Sequence, residues 1–190
     1  LANFTAQYNF QSIAIALIVM SSSECTLKSN NCNDGSQQSW VKGTSSAVIF
    51  VGAVIGQLSM GFLGDYLSRN AALAVTLFIS AISALFSAIL SYGNPTTIYS
   101  IIITCRFFIG IGLGGIYPLS ATKASEDSIL NATTSRSSSS VNVGIAFLWQ
   151  IPGLIVPWLL ALLLTYTTLS AHIRWRLILG LGCLPSLLAI

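Results

Sequence analysis

The chain has 190 residues, of which 54% are hydrophobic and only 7% charged, with a formal net charge of +3. A soluble domain carries about 25% charged residues, so this composition excludes a globule coated by water. The basic residues are few and scattered, which excludes nucleic acid as a partner, and a multi-span protein of the lipid bilayer remains.

A helix needs about 20 apolar residues to cross the hydrocarbon core. On that length the sequence predicts an all-α membrane protein with spans at residues 4–20, 44–63, 71–92, 98–122, 141–166 and 174–190. Short connections make it a six-helix up-and-down bundle whose last helix is truncated. Leu1 lies close to an apolar run and Ile190 lies inside another, so the chain is read as roughly half of a larger transporter-sized fold. The first span opens Phe4-Thr5-Ala6-Gln7-Tyr8-Asn9-Phe10. The polar loop 21–42 holds Cys25 and Cys32, which could form a disulfide on the extracytoplasmic side. Cys105 and Cys183 fall in apolar runs and read as packing residues.

Between the second and third spans lies Gly61-Phe62-Leu63-Gly64-Asp65-Tyr66-Leu67-Ser68-Arg69. Read alone it is either an ordinary polar turn or a breakable lock between Asp65, Arg69 and a neighbouring helix end. The fourth span reads Cys105-Arg106-Phe107-Phe108-Ile109-Gly110-Ile111-Gly112-Leu113-Gly114-Gly115-Ile116-Tyr117-Pro118-Leu119-Ser120. An arginine at depth costs about 2.5–3.5 kcal/mol on insertion scales and therefore faces protein or a wet cavity. Gly110, Gly112, Gly114 and Gly115 admit close helix contact. At 100° per residue Arg106 and Tyr117 fall within about 20° of each other. Together they could bind an anion; equally, Arg106 could be held by carbonyls while Tyr117 packs.

The linker 123–140 is expected on the cytoplasmic side and ends in four serines, Ser137 to Ser140. The fifth span carries one amide, Gln150, before Pro152, Gly153 and Pro157. On its own it reads as a helix–helix hydrogen bond. His172 sits in the last loop and reads as solvated surface, and Trp175-Arg176 opens the last span as an interfacial anchor. With the N-terminus inside, the inner loops carry Arg69, Lys123 and Arg136 against Lys28, Lys42, Arg174 and Arg176 outside. That balance sets no orientation. The sequons Asn3-Phe4-Thr5 and Asn131-Ala132-Thr133 would then both face inward. No zinc-type spacing, paired carboxylates or nucleophile–base pair appears at depth, so neither an enzyme nor a metal or other cofactor is expected.

Gly-x-Leu-Gly-Asp-x-x-x-Arg at residues 61–69 resembles the signature loop of the major facilitator superfamily, departing from it at Tyr66, Ser68 and Asn70. From Arg106 to Glu126 the fourth span is similar to the signature of that superfamily's phosphate:proton symporters, most specifically in Tyr117-Pro118-Leu119-Ser120-Ala121. The resemblance implies the N-terminal half of a carrier that moves inorganic phosphate or a similar anion by alternating access. It implies substrate contacts from Tyr117, Gln150 and Arg106. A gating turn would be built from Gly61, Gly64, Asp65 and Arg69, and a C-terminal half of the same protein would be the partner. Gln150 matches the family's glutamine, although Ile151 replaces the glycine after it. Asn9 and Ile116 stand where the family has acids, and no Asp or Glu occurs between Asp65 and Glu126. Carriage of a sugar or an organic anion, or a non-transporting sensor, is the alternative. The plasma membrane is expected rather than an organelle.

Overall fold

A computed structural model describes residues 1–27, 39–131 and 137–190. The chain folds into helices α1 (Ala2–Leu27), α2 (Ser39–Tyr66), α3 (Arg69–Ile89), α4 (Pro95–Asn131), α5 (Ser137–Leu148), α6 (Gln150–Thr165), α7 (Ala171–Gly180) and α8 (Cys183–Leu188). No strand occurs among the described residues. Cys25–Cys32 pairing, the Asn131 sequon and the serine run fall outside the described side chains.

Several helices outrun the apolar windows that announce them. Hydropathy marks what lipid covers, not where backbone hydrogen bonding stops. Thus α4 continues to Asn131, into the segment expected as linker. Segments 43–66, 69–89, 96–126 and 141–165 are long and apolar enough to cross a membrane. The fifth predicted span is interrupted at Trp149, between α5 and α6. Pro152 explains this: it has no N–H for the carbonyl four residues back. The sixth is interrupted at Leu181–Gly182, and Pro185 stands four residues after Leu181 for the same reason.

The turn between α2 and α3 is very short. Ser68 caps α3, its Oγ accepting from the Ala71 N–H at 3.3 Å, which satisfies one of the orphan donors of the first turn. The turn into α4 needs Gly93 at φ +108°, a region that L side chains avoid.

α4 is the axis of the bundle. A Cβ added at Gly110 or Gly114 would run into the Ile49 or Ala53 carbonyl of α2. A Cβ at Gly52 or Gly56 would meet the Phe107 or Ile111 carbonyl in return. Two small-x-x-x-small pairs therefore press backbone on backbone, which gains dispersion contact where lipid supplies no hydrophobic drive. On another side of α4, Gly112 and Gly115 receive Thr76 and Ser80 of α3. Ala6, Leu77, Ala81, Ile109, Leu113 and Ile116 fill the core around this seam. α1 packs on α6, where Gly153 lies against the Phe4 carbonyl, and on α7, where the Tyr8 hydroxyl donates to the Ile178 carbonyl at 3.0 Å. Phe50, Val54, Leu58 and Phe62 of α2 and Leu159, Leu162 and Leu163 of α6 remain exposed.

Overpacking this seam is expected to cost about 1–3 kcal/mol or more. Gly114→Val should lower the thermal midpoint of the protein in detergent by several degrees. Gly61→Ala should leave it unchanged, since nothing lies within 4 Å of a Cβ built there.

Candidate functional site

α1, α2 and α4 form a half-open cavity of about 240 Å³ lined by Gln7, Phe10, Ile49, Phe50, Ala53, Leu113 and Tyr117. Its polar groups come from two side chains. The Tyr117 hydroxyl donates to Gln7 Oε1 at 3.5 Å, and the tyrosine ring stacks on Phe147 of α5 with centroids 6.5 Å apart and planes 15° apart. One turn along α4, the Ser120 hydroxyl donates to Asn3 Oδ1 at 3.0 Å. The Asn3 amide donates in turn to the Ala146 carbonyl at 2.9 Å. Asn3 and Gln7 are four residues apart on α1, as Tyr117 and Ser120 are three apart on α4, so each pair lies along one helix face.

Gln150 opens α6 three residues after Phe147 and three before Gly153, the glycine that lies against Phe4 and Gln7. It is partly buried and is not among the residues that line the cavity.

Arg106 stands apart from this group. It is 1% exposed, its Nη1 donates to the Asn9 carbonyl at 2.5 Å and its Nη2 to Ser12 Oγ at 3.3 Å. The Asn9 amide then donates to the Gly182 carbonyl at 3.2 Å, an acceptor within the break between α7 and α8. Arg106 does share a helix face with Tyr117, but eleven residues place it about 16 Å away along the axis. It does not line the cavity; its hydrogen bonds go to α1.

The turn residues also part company. Asp65 is exposed and makes no ion pair among the described residues. Arg69 pairs instead with Glu126 of α4, both side chains being partly exposed. Gly64 is buried, with Leu119 2.8 Å from a Cβ built on it, whereas Gly61 is open. Among the described residues no group of three or more His, Cys, Asp or Glu lies together to hold a metal ion.

Gln7, Asn3 and Glu126 were not singled out from the sequence. The paired spacings 3/7 and 117/120 were the available clue, and it becomes usable only when α1 is known to face α4.

The sequence model of the family described as "Sugar (and other) transporter" matches residues 1–190. The chain is 36% identical over 188 residues to "Inorganic phosphate transporter PT2" of Toxoplasma gondii, covering 99% of this chain and 32% of that protein. It is 33% identical over 167 residues to "Inorganic phosphate transporter 1-6" of Oryza sativa subsp. japonica, covering 78% of this chain and 30% of the relative. The chain thus spans about a third of the length of these relatives. Its fold superposes on the major facilitator superfamily proton:xylose symporter XylE bound to 6-bromo-6-deoxy-D-glucose with a TM-score of 0.78 at 16% identity, covering 99% of this chain and 41% of that one. The inward-open xylose transporter XylE from E. coli gives 0.73 at 17% identity, with 99% and 44% covered. At these identities the likeness to XylE is one of fold.

Arg106→Lys is expected to lower stability, because an ammonium on a single stem cannot hold both Asn9 and Ser12. Losing one hydrogen bond to a charged group costs about 1.5–3 kcal/mol, read as a drop in thermal midpoint, and Ser12→Ala should give a smaller drop in the same direction.

Proposed function

The chain belongs to the sugar (and other) transporter family and has the major facilitator fold, and from that premise we propose that it forms part of a secondary carrier for inorganic phosphate or a similar tetrahedral oxyanion. The observation that carries this reading is the Tyr117 hydroxyl, turned onto a cavity of about 240 Å³ against Gln7. Its hydroxyl and amide groups replace part of an anion's hydration shell, which bare apolar walls cannot do. Phosphate transporters from Toxoplasma and rice among the relatives support the substrate.

The mechanism follows from the bundle. A carrier of this fold exposes a midplane site alternately to each side by rocking two helical halves. We propose that α1, α2 and α4 supply one wall and that a C-terminal half outside this chain supplies the other. Tyr117 and Gln150 contact the anion directly. Arg106 contributes through the orientation of α1. The turn of Gly61, Gly64, Asp65 and Arg69, with Glu126 as the arginine's partner, gates the inner side. The plasma membrane is the proposed location.

Proton coupling needs a group whose charge can be cancelled at depth. Asn9 spends its amide on Gly182, Ile116 is fully buried in the core, and no carboxylate occurs between Asp65 and Glu126. We therefore place any proton carrier outside these helices. A sugar is the second reading. The neutral donors of Gln7, Tyr117 and Gln150 suit sugar hydroxyls, and the structural neighbours are xylose carriers.

Labelled-phosphate uptake by the full-length protein in proteoliposomes separates these readings. Tyr117→Phe and Gln150→Ala should each raise KM for phosphate about tenfold, the worth of one buried hydrogen bond, with little change in maximal rate. Uptake should respond weakly to an imposed pH gradient. Saturable xylose uptake without phosphate uptake would select the sugar reading, and unchanged KM in both variants would remove the two residues from the site.

A further inference from the structure

We propose that Gln7 is a specificity-determining residue that makes the site prefer a protonated tetrahedral oxyanion, dihydrogen phosphate or its arsenate analogue, over sulfate. The proposal rests on the phosphate reading above and deepens it.

Three features of the pair carry the inference. Gln7 and Tyr117 are the polar residues of an otherwise apolar lining. Their hydrogen bond is long, 3.5 Å against about 2.7–2.8 Å for a relaxed O–H···O contact, so it exchanges at little cost. Its direction is fixed by chemistry when Oε1 faces the phenol: the hydroxyl donates and the amide oxygen accepts. Gln7 also has no other hydrogen bond among the described residues, and its Cβ lies 3.1 Å from a Cβ built on Gly153. The stem is thus held while the amide head remains available.

An arriving anion can take over this bond. Tyr117 turns its proton onto an anion oxygen, which frees Gln7 Oε1 as an acceptor. Dihydrogen phosphate fills that acceptor with its own P–O–H, so one protein–protein hydrogen bond is replaced by two to the ligand. Arsenate at the same pH does likewise. Sulfate has no proton at neutral pH. It accepts from Tyr117 but has no proton for Gln7 Oε1, so the amide must turn its N–H2 towards the anion before a second bond forms, a rearrangement that dihydrogen phosphate does not need. A site made to bind a substrate's O–H discriminates strongly against an analogue lacking it. Among the described residues no cation lines this cavity, so on this wall recognition falls to neutral groups.

The test is competition by arsenate and by sulfate against labelled-phosphate uptake in proteoliposomes of the full-length protein. In the unaltered protein arsenate should compete and sulfate should not. Gln7→Leu should lower the ratio of sulfate Ki to phosphate KM about tenfold. Gln7→Glu, a stronger acceptor with no donor, should raise the ratio even as its charge weakens phosphate binding. Gln7→Asn should lower it less than Gln7→Leu, and it serves should the leucine variant fail to fold. A purely structural role would alter rate or yield and leave the ratio in place. A ratio unmoved in both the leucine and the glutamate variants overturns the proposal while phosphate carriage stands. Absence of phosphate and arsenate competition in the unaltered protein overturns both.

Discussion

The contact of α2 and α4 through paired glycines sets the position of everything else. Where Gly110 and Gly114 meet Ile49 and Ala53 no side chain separates the two backbones, so the axes are fixed by atoms that have no rotamers. Gly112 and Gly115, about half a turn round, take α3 in the same way. A third arc of α4 carries Arg106, Leu113, Tyr117 and Ser120, and α1 meets it through Asn9, Ser12, Gln7 and Asn3.

α1 meets that polar arc with backbone as well as side chains. Arg106 is a buried charge without a carboxylate partner; it is met by a carbonyl, a hydroxyl and the dipoles around them. Such an arrangement is costly if one bond is lost, because an uncompensated charge then remains in a low dielectric. The same helix reaches α7 through Tyr8, the α7–α8 break through Asn9 and α5 through Asn3. Two of these three bonds end on or next to an interrupted helix, at Ala146 and Gly182. The breaks in the fifth and sixth spans are thus integrated into the packing of α1.

The fold was largely legible in the sequence because a bilayer leaves few choices: apolar runs of span length must be helices, and glycines four apart must pack. The fourth span was legible in its details, including the shared face of Arg106 and Tyr117. Two things were not. A helical wheel puts Arg106 and Tyr117 on one face and the eleven-residue spacing puts about 16 Å between them, but neither shows that Arg106 turns to α1. The wheel also gives no partner, so Gln7 and Asn3 looked like ordinary polar residues at the start of a span, and Arg69 was set beside Asp65 in sequence although Glu126 is its partner in space. The helix interruptions were foreshadowed by Pro152 and Pro185, but a proline is also tolerated as a simple kink, as Pro118 within α4 demonstrates.

The separation of Arg106 from the cavity has a consequence for how an anion is held. At about 16 Å and an effective dielectric constant near 20, a unit charge acts on another by roughly 1 kcal/mol. That is enough to favour an anion over a neutral solute several-fold, and too little to trap it. Direct contact at 4 Å would be worth about four times as much under the same dielectric, and the anion would leave slowly. A carrier must release its cargo on the far side as readily as it takes it up, so neutral donors at the contact and a cation at a distance suit turnover better than an arginine clamp. On the wall this chain supplies, the proposed site would then select by hydrogen-bond matching rather than by charge. In the site we propose, the donor or acceptor character of the neutral groups, Tyr117 and Gln7 foremost, would bias which anion this wall accepts.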